Sequence, residues 1–113
     1  VLVCGGYGGV MEAACKGAKS KDGLTMGIIT GKDRGKANPH VDIVLPTDMG
    51  YSRNTLVAGA GEIAVAFKGE YGTLSEISLA LIEGKPVYGF DTWDIPGVTK
   101  RNDPEELRAL IKR

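Results

Sequence analysis

The chain has 113 residues, 42% hydrophobic and 25% charged, and its 14 basic and 14 acidic side chains leave a formal net charge of zero. A chain of this length makes one domain with a real but modest core. The neutral balance supplies no general field for nucleic acid or an anionic membrane. Glycine is the outlier, at 17 residues against a usual share of about 7%, and the glycines gather at strand ends rather than in a linker.

Val1 to Cys4 is an apolar run stopped by Gly5-Gly6, which predicts a buried strand and a turn. From Val10 the spacing becomes helical, with Val10, Met11, Ala14, Cys15 and Ala18 on one face and Glu12, Lys16 and Lys19 on the other. Asp22-Gly23 closes this helix, and Leu24 to Ile29 predicts the next strand. A parallel sheet with a right-handed crossover follows from this order. Thr30 to His40 is a polar surface loop, Val41 to Leu45 a short strand, and Ser52 to Ala60 a helix ending at Gly61. Ile63 to Phe67 is a buried strand, Gly69 to Gly72 a loop, and Thr73 to Glu83 a helix with Leu74, Ile77, Ala80 and Leu81 inward and Gly84 past its end. Pro86 to Phe90 is expected to be the last strand, and Asp103-Pro104-Glu105-Glu106 starts a final helix running to Arg113. Strands and helices alternate, so the expected fold class is α/β: a Rossmann-like, doubly wound, mostly parallel sheet with helices on both faces.

The two glycine loops carry the chemistry. Gly5-Gly6-Tyr7-Gly8-Gly9 and Gly69-Glu70-Tyr71-Gly72-Thr73 each join a buried strand to a helix. Unpaired amides and the dipole at a helix N-terminus suit an anion, and glycine lets phosphate approach the backbone. Tight turns need glycine for steric reasons alone, so either loop by itself has that plainer reading. Two loops in one parallel sheet favour a ligand site at the strand ends. The first loop is not a dinucleotide fingerprint, because Thr30-Gly31-Lys32 stands where an acid would hold a ribose.

Thr73 and Glu76 fit a capping box, or Glu76 faces the ligand as a general base. Arg53 is either a solvated residue or a contact to phosphate, with Asn54 beside it. With His40 alone and two cysteines, Cys4 and Cys15, read as free thiols, no metal site is expected. Ser52 and Ser75 lack a nearby histidine, and Lys32, Arg34 and Lys36 form a solvated loop. The free thiols lead to the expectation of a reducing cytoplasm; no apolar run reaches a membrane span and no signal peptide is visible.

Together, Cys4-Gly5-Gly6-Tyr7-Gly8-Gly9-Val10-Met11-Glu12, Arg53-Asn54 and Gly69-Glu70-Tyr71-Gly72-Thr73-Leu74-Ser75-Glu76 resemble the superfamily of the Lonely Guy proteins. Those are cytokinin-activating nucleoside 5′-monophosphate phosphoribohydrolases, long labelled lysine decarboxylases. More closely, the chain resembles the branch related to DNA-processing protein A, and molybdenum-cofactor carrier proteins share the fold. The resemblance reaches nearly the whole chain, to about Phe90. It implies Arg53 and Glu76 as catalytic residues, and Gly5, Gly6, Tyr7, Gly8, Gly9, Met11, Asn54, Gly69, Glu70, Tyr71, Gly72 and Thr73 around a nucleotide phosphate. Lys68 and Glu70 replace a proline and a glycine of the enzymes' second motif.

The implied activity is an N-glycosidase releasing base and ribose 5-phosphate without metal or cofactor. The alternative is a binding or carrier protein for a nucleotide or a molybdenum-cofactor-like ligand. By the same resemblance the protein is a homo-oligomer, commonly a dimer, and lacks the family's first strand and helix. Nucleic acid and membrane are not expected partners.

Overall fold

A computed structural model describes residues 1–103, 105 and 106. The chain divides into two compact units, Val1–Gly61 and the part from Glu62 on.

In the first unit three parallel strands, β1 (Leu2–Cys4), β2 (Thr25–Ile29) and β3 (Ile43–Pro46), lie in the order β1-β2-β3. The register pairs Cys4 with Gly27 and Gly27 with Val44. Central β2 is the most buried, with Ile28 and Ile29 almost wholly enclosed. Edge strand β3 leaves Ile43 and Leu45 exposed and ends on Pro46, which an edge tolerates.

Helix α1 (Val10–Ser20) connects β1 to β2 and buries Cys15, whose sulfur lies 3.6 Å from that of Cys4. Neither cysteine is in a disulfide, as the sequence led us to expect. Val10, expected inward, is instead 49% exposed, because it is the first helical residue and lies at the open strand end.

Asp22 closes α1 in the left-handed conformation (φ 58°). The Gly23 amide donates to Ala18 and the Asp22 amide to Lys19, which is a Schellman ending. The same corner is tied to the sheet through Asp42. Its carboxylate accepts from Lys19 Nζ at 2.9 Å and from the Thr25 amide at 3.0 Å. The lysine hydrogen bond, then the Thr25 amide, hold its pKa below the usual 3.8. The expected helix over Ser52 to Ala60 is two pieces: a 3-10 turn, Gly50–Arg53, then α2 (Asn54–Ala60). A second 3-10 turn, Arg34–Lys36, interrupts the polar loop.

The second unit holds β4 (Ala64–Phe67), α3 (Tyr71–Ile82), β5 (Val87–Phe90) and β6 (Val98–Lys100), with a parallel sheet in the order β4-β5-β6. Ala66, Ile77, Ala80 and Val87 form its core, and Ala64, Leu81, Trp93, Ile95 and Val98 pack against them. Phe67 and Phe90, register partners, stack at 5.1 Å.

Two expectations are corrected here. Val87–Phe90 is not the last strand, because β6 follows it. A parallel crossover usually takes about a dozen residues and a helix, whereas residues 91–97 make this one as a loop. Trp93 and Ile95 fill the place against the core that a crossover helix would take.

The capping box of Thr73 and Glu76 is also absent as such, because α3 starts at Tyr71. Glu70 is the N-cap residue, in extended conformation and without a side-chain cap, and its carbonyl takes the Leu74 amide. The far end of α3 matches expectation: Gly84 (φ 74°) sits past it, with Gly84 bonded to Leu81 and Lys85 to Ala80. Asp103 Oδ1 accepts from the Glu105 amide. The expected final helix, running from here to Arg113, lies largely outside the described residues.

Candidate functional site

In the first unit the predicted residues meet at the carboxyl ends of the parallel strands, where open α/β sheets place ligands. The β1 loop is held in place by Asn38, whose amide donates to the Gly6 carbonyl and whose side chain donates to the Tyr7 carbonyl. The Tyr7 hydroxyl accepts from the Thr30 amide and shares a 2.7 Å hydrogen bond with the Thr30 hydroxyl. Burial opposes ionisation of this phenol, but the Thr30 hydroxyl, the Thr30 and Gly31 amides and the Arg53 charge outweigh it and lower its pKa.

Arg53 ends the 3-10 turn after β3 and is 5% exposed. Its guanidinium donates to the Asn54 side chain, itself 2% exposed, and lies 6.0 Å from the Tyr7 ring centre. Thus Gly5, Tyr7, Met11, Arg53 and Asn54 form one cluster. Arg53 is not a solvated surface residue.

The glycines of this loop divide into two kinds. A Cβ on Gly5 would lie 2.5 Å from Arg53 Nη2 and 2.8 Å from Met11 Sδ. Gly6 (φ 83°) faces Gly27 so closely that a Cβ on Gly27 would come within 2.8 Å of the Gly6 α-carbon. Gly6 is therefore required by the protein's own packing, whereas Gly5 leaves the room that the ends of the Arg53 and Met11 side chains occupy. Gly8 meets only Glu12 Oε1 at 4.0 Å, and Gly9 (φ 67°) meets nothing within 4 Å. These two border the start of α1, which has no side-chain cap. An anion approaching those amides would find positive dipole and open space.

In the second unit, Gly69, Glu70, Tyr71, Gly72, Thr73 and Glu76 line the entry into α3. Glu70 and Tyr71 are exposed, Tyr71 by 87%, whereas Glu76 is half-buried within the helix. Gly69 (φ 150°) supports the Trp93 ring, which a Cβ would strike. Lys68, Asp91, Thr92 and Trp93 gather with Gly69 at the ends of β4 and β5. Sequence reasoning passed over the last three, although they directly follow a buried strand and include the only tryptophan. It also noted Thr30 only for the acid it replaces, and not as the partner of Tyr7. Among the described residues no group of three or more His, Cys, Asp or Glu could hold a metal ion. No helix among them is long and apolar enough to cross a membrane.

The SLOG cluster4 family profile matches residues 1–112. The chain belongs to the SLOG cluster4 family. SLOG denotes the superfamily of DNA-processing protein A and Lonely Guy proteins, so the superfamily resemblance is borne out. An uncharacterized protein of Archaeoglobus fulgidus is 48% identical to this SLOG chain over 87 residues. That match takes in 77% of this chain and 57% of the relative, so the chain spans little more than half the relative's length.

The molybdenum cofactor binding protein of Rippkaea orientalis is 35% identical, with a TM-score of 0.90 over 98% of this chain and 75% of its own. The molybdenum cofactor carrier protein of Chlamydomonas reinhardtii is 33% identical, with a TM-score of 0.86 over 98% and 74%. The α/β, Rossmann-like fold expected from the alternating elements is therefore the fold observed.

Proposed function

We propose that this chain binds and carries a small phosphorylated ligand of the molybdenum-cofactor type. The observation that carries the reading is the identity of 33–35%, over 98% of the chain, to two proteins described as binding or carrying that cofactor. The first unit supplies a fitting anion station. Arg53 is preset by Asn54 and Tyr7, and the open amides at Gly8 and Gly9 lie at an uncapped helix start. A buried guanidinium fixed before binding loses little freedom on meeting phosphate. Any metal would arrive within the ligand and be held through the ligand's own donors. Lys68 and Glu70, which depart from the hydrolases' second motif, suit a carrier better than an N-glycosidase.

Hydrolysis of a nucleoside 5′-monophosphate is the second reading, favoured by membership of the Lonely Guy superfamily. In it Arg53 holds the nucleotide and Glu76 stabilises an oxocarbenium-like ribose and activates water. One set of measurements on the full-length protein separates the two. Calorimetry should find GMP and AMP binding about tenfold or more tighter than their nucleosides, since a charge-assisted contact contributes about 1.5–3 kcal/mol. Equal affinities would remove the phosphate station. A carrier releases no free base on long incubation. If base is released, Glu76→Gln should slow it about 10²–10⁴-fold with unchanged binding, and parental turnover in that variant would exclude Glu76 as the base.

A further inference from the structure

In Rossmann-type sheets a dinucleotide straddles the first strand-to-helix loop. Its pyrophosphate meets the helix N-terminus, and one ribose is held at the carboxyl end of the second strand. Here the second strand is β2, no acid follows it to hold a ribose, and the phenol of Tyr7 stands at its end. We propose that Tyr7 sets the length of the ligand. It closes the β2 side of the anion station, so the site accepts a phosphate monoester and refuses a pyrophosphate that carries a second ribose. This length rule rests on the phosphate station proposed above and adds which phosphorylated ligands that station takes.

The donors that a ribose hydroxyl would need at this strand end are already engaged. The Thr30 amide donates to the Tyr7 phenol oxygen at 3.0 Å, and the Thr30 hydroxyl shares a 2.7 Å hydrogen bond with it. The Gly31 amide is directed at the same oxygen. Nor is this segment free to turn its donors elsewhere, because its carbonyls are tied from the other side. Thr30 accepts from the Gly50 amide at 3.0 Å, Gly31 from the Asp48 amide at 3.1 Å, and Ile29 from the Thr47 hydroxyl at 2.7 Å.

Tyr7 is itself held at both ends. Its carbonyl accepts from the Asn38 side chain at 2.8 Å, and the neighbouring Gly6 carbonyl accepts from the Asn38 amide at 2.8 Å. The Arg53 guanidinium lies over the ring, 6.0 Å from its centre, while the hydroxyl reaches Thr30. The ring thus stands as a wall between the cation of the anion station and the end of β2. A phosphate monoester has one organic arm, which leaves the station away from β2. A pyrophosphate diester has two, and one of them must cross β2. Admitting it requires the ring to swing out and give up its bonds to Thr30 and Gly31. One such bond is worth roughly a threefold to tenfold change in affinity, and a contact made against the wrong ligand separates two ligands as well as one made for the right one.

AMP and ADP-ribose make the test, since ADP-ribose is AMP joined through its phosphate to a second ribose 5-phosphate. Calorimetry on the full-length protein should find AMP binding about tenfold or more tighter than ADP-ribose. Tyr7→Ala removes the wall and should bring the two affinities within about threefold of each other. Tyr7→Phe keeps the ring and its packing but leaves the Thr30 and Gly31 donors wanting an acceptor, which a ribose hydroxyl supplies. Its AMP preference should fall by about threefold or more, a reading that stands even where the alanine variant does not fold. ADP-ribose as tight as AMP in the parent, or the parental preference kept in the variants, would overturn the proposal. Adenosine judges the station itself. AMP no tighter than adenosine removes the phosphate station and the length rule with it, whereas AMP tighter than adenosine but matched by ADP-ribose removes the length rule alone.

Discussion

At Gly5 the absence of a side chain serves Arg53. Gly5→Ala would drive a methyl to 2.5 Å from the guanidinium and 2.8 Å from Met11, so either the arginine or the loop must move. Overpacking of this kind costs about 1–3 kcal/mol, and phosphate affinity should fall with it. Gly8→Ala meets open space. Its stability should stay within about 0.5 kcal/mol of the parent, while ligand affinity drops if phosphate closes on that amide. Urea melts alongside calorimetry on both variants read the two effects separately. Parental affinity in Gly8→Ala would mean that phosphate does not approach there.

The sequence showed where the glycines were, but their two uses were not separable from it. The clash partners, Arg53 and Gly27, are far along the chain from Gly5 and Gly6 and become neighbours only through the sheet. Thr73 and Glu76 show the opposite difficulty. Their spacing satisfies a local capping rule, yet the chain enters the helix earlier, on the Glu70 carbonyl.

Among the elements, the five strands that were legible are mostly apolar runs cut off by glycine, threonine, proline or a charged residue. Strand β6 offers only Val98-Thr99-Lys100, too short for any periodicity. It also breaks the expectation that a helix separates parallel strands, and only the packing of Trp93 and Ile95 explains how the loop suffices. The two helix ends make a matched experiment. Both α1 and α3 finish in Schellman turns, with Asp22 and Gly84 in the left-handed position. Left-handed backbone costs a non-glycine residue roughly 1–2 kcal/mol. Asp22→Gly should therefore stabilise by up to about 1 kcal/mol, and Gly84→Ala should destabilise by a similar amount, both read from the denaturation midpoint.

The Asp42 tie between α1 and the sheet gives a pH signature. Because its pKa in the folded state is depressed below 3.8, the unfolded chain takes up its proton first as acid is added. The stabilisation is complete above pH 3.8 and is lost as pH falls through the lower, folded value. Asp42→Asn should thus be less stable than the parent near neutrality, and the gap should close in acid. A gap constant from pH 6 to pH 2 would show that the carboxylate's charge is not what matters.

For the molecule as a whole, zero net charge leaves little mutual repulsion between copies, and strand β3 presents Ile43 and Leu45 on an exposed edge. Such an edge is a template for pairing. By family analogy a dimer is expected, and light scattering at micromolar concentration should return twice the chain mass. Ile43→Lys and Leu45→Lys together should reduce association if this edge takes part, and an unchanged mass would place the contact elsewhere. The back-to-back glycines, Gly6 against Gly27, have a consequence for how such proteins diverge. Neither position can gain a side chain unless the loop after β1 parts from β2, whatever the ligand. A lineage that has lost its ligand should therefore keep Gly6 and Gly27 while Gly8 drifts freely. Within this family, the pattern of drift along a single loop would serve as a record of which descendants still carry cargo.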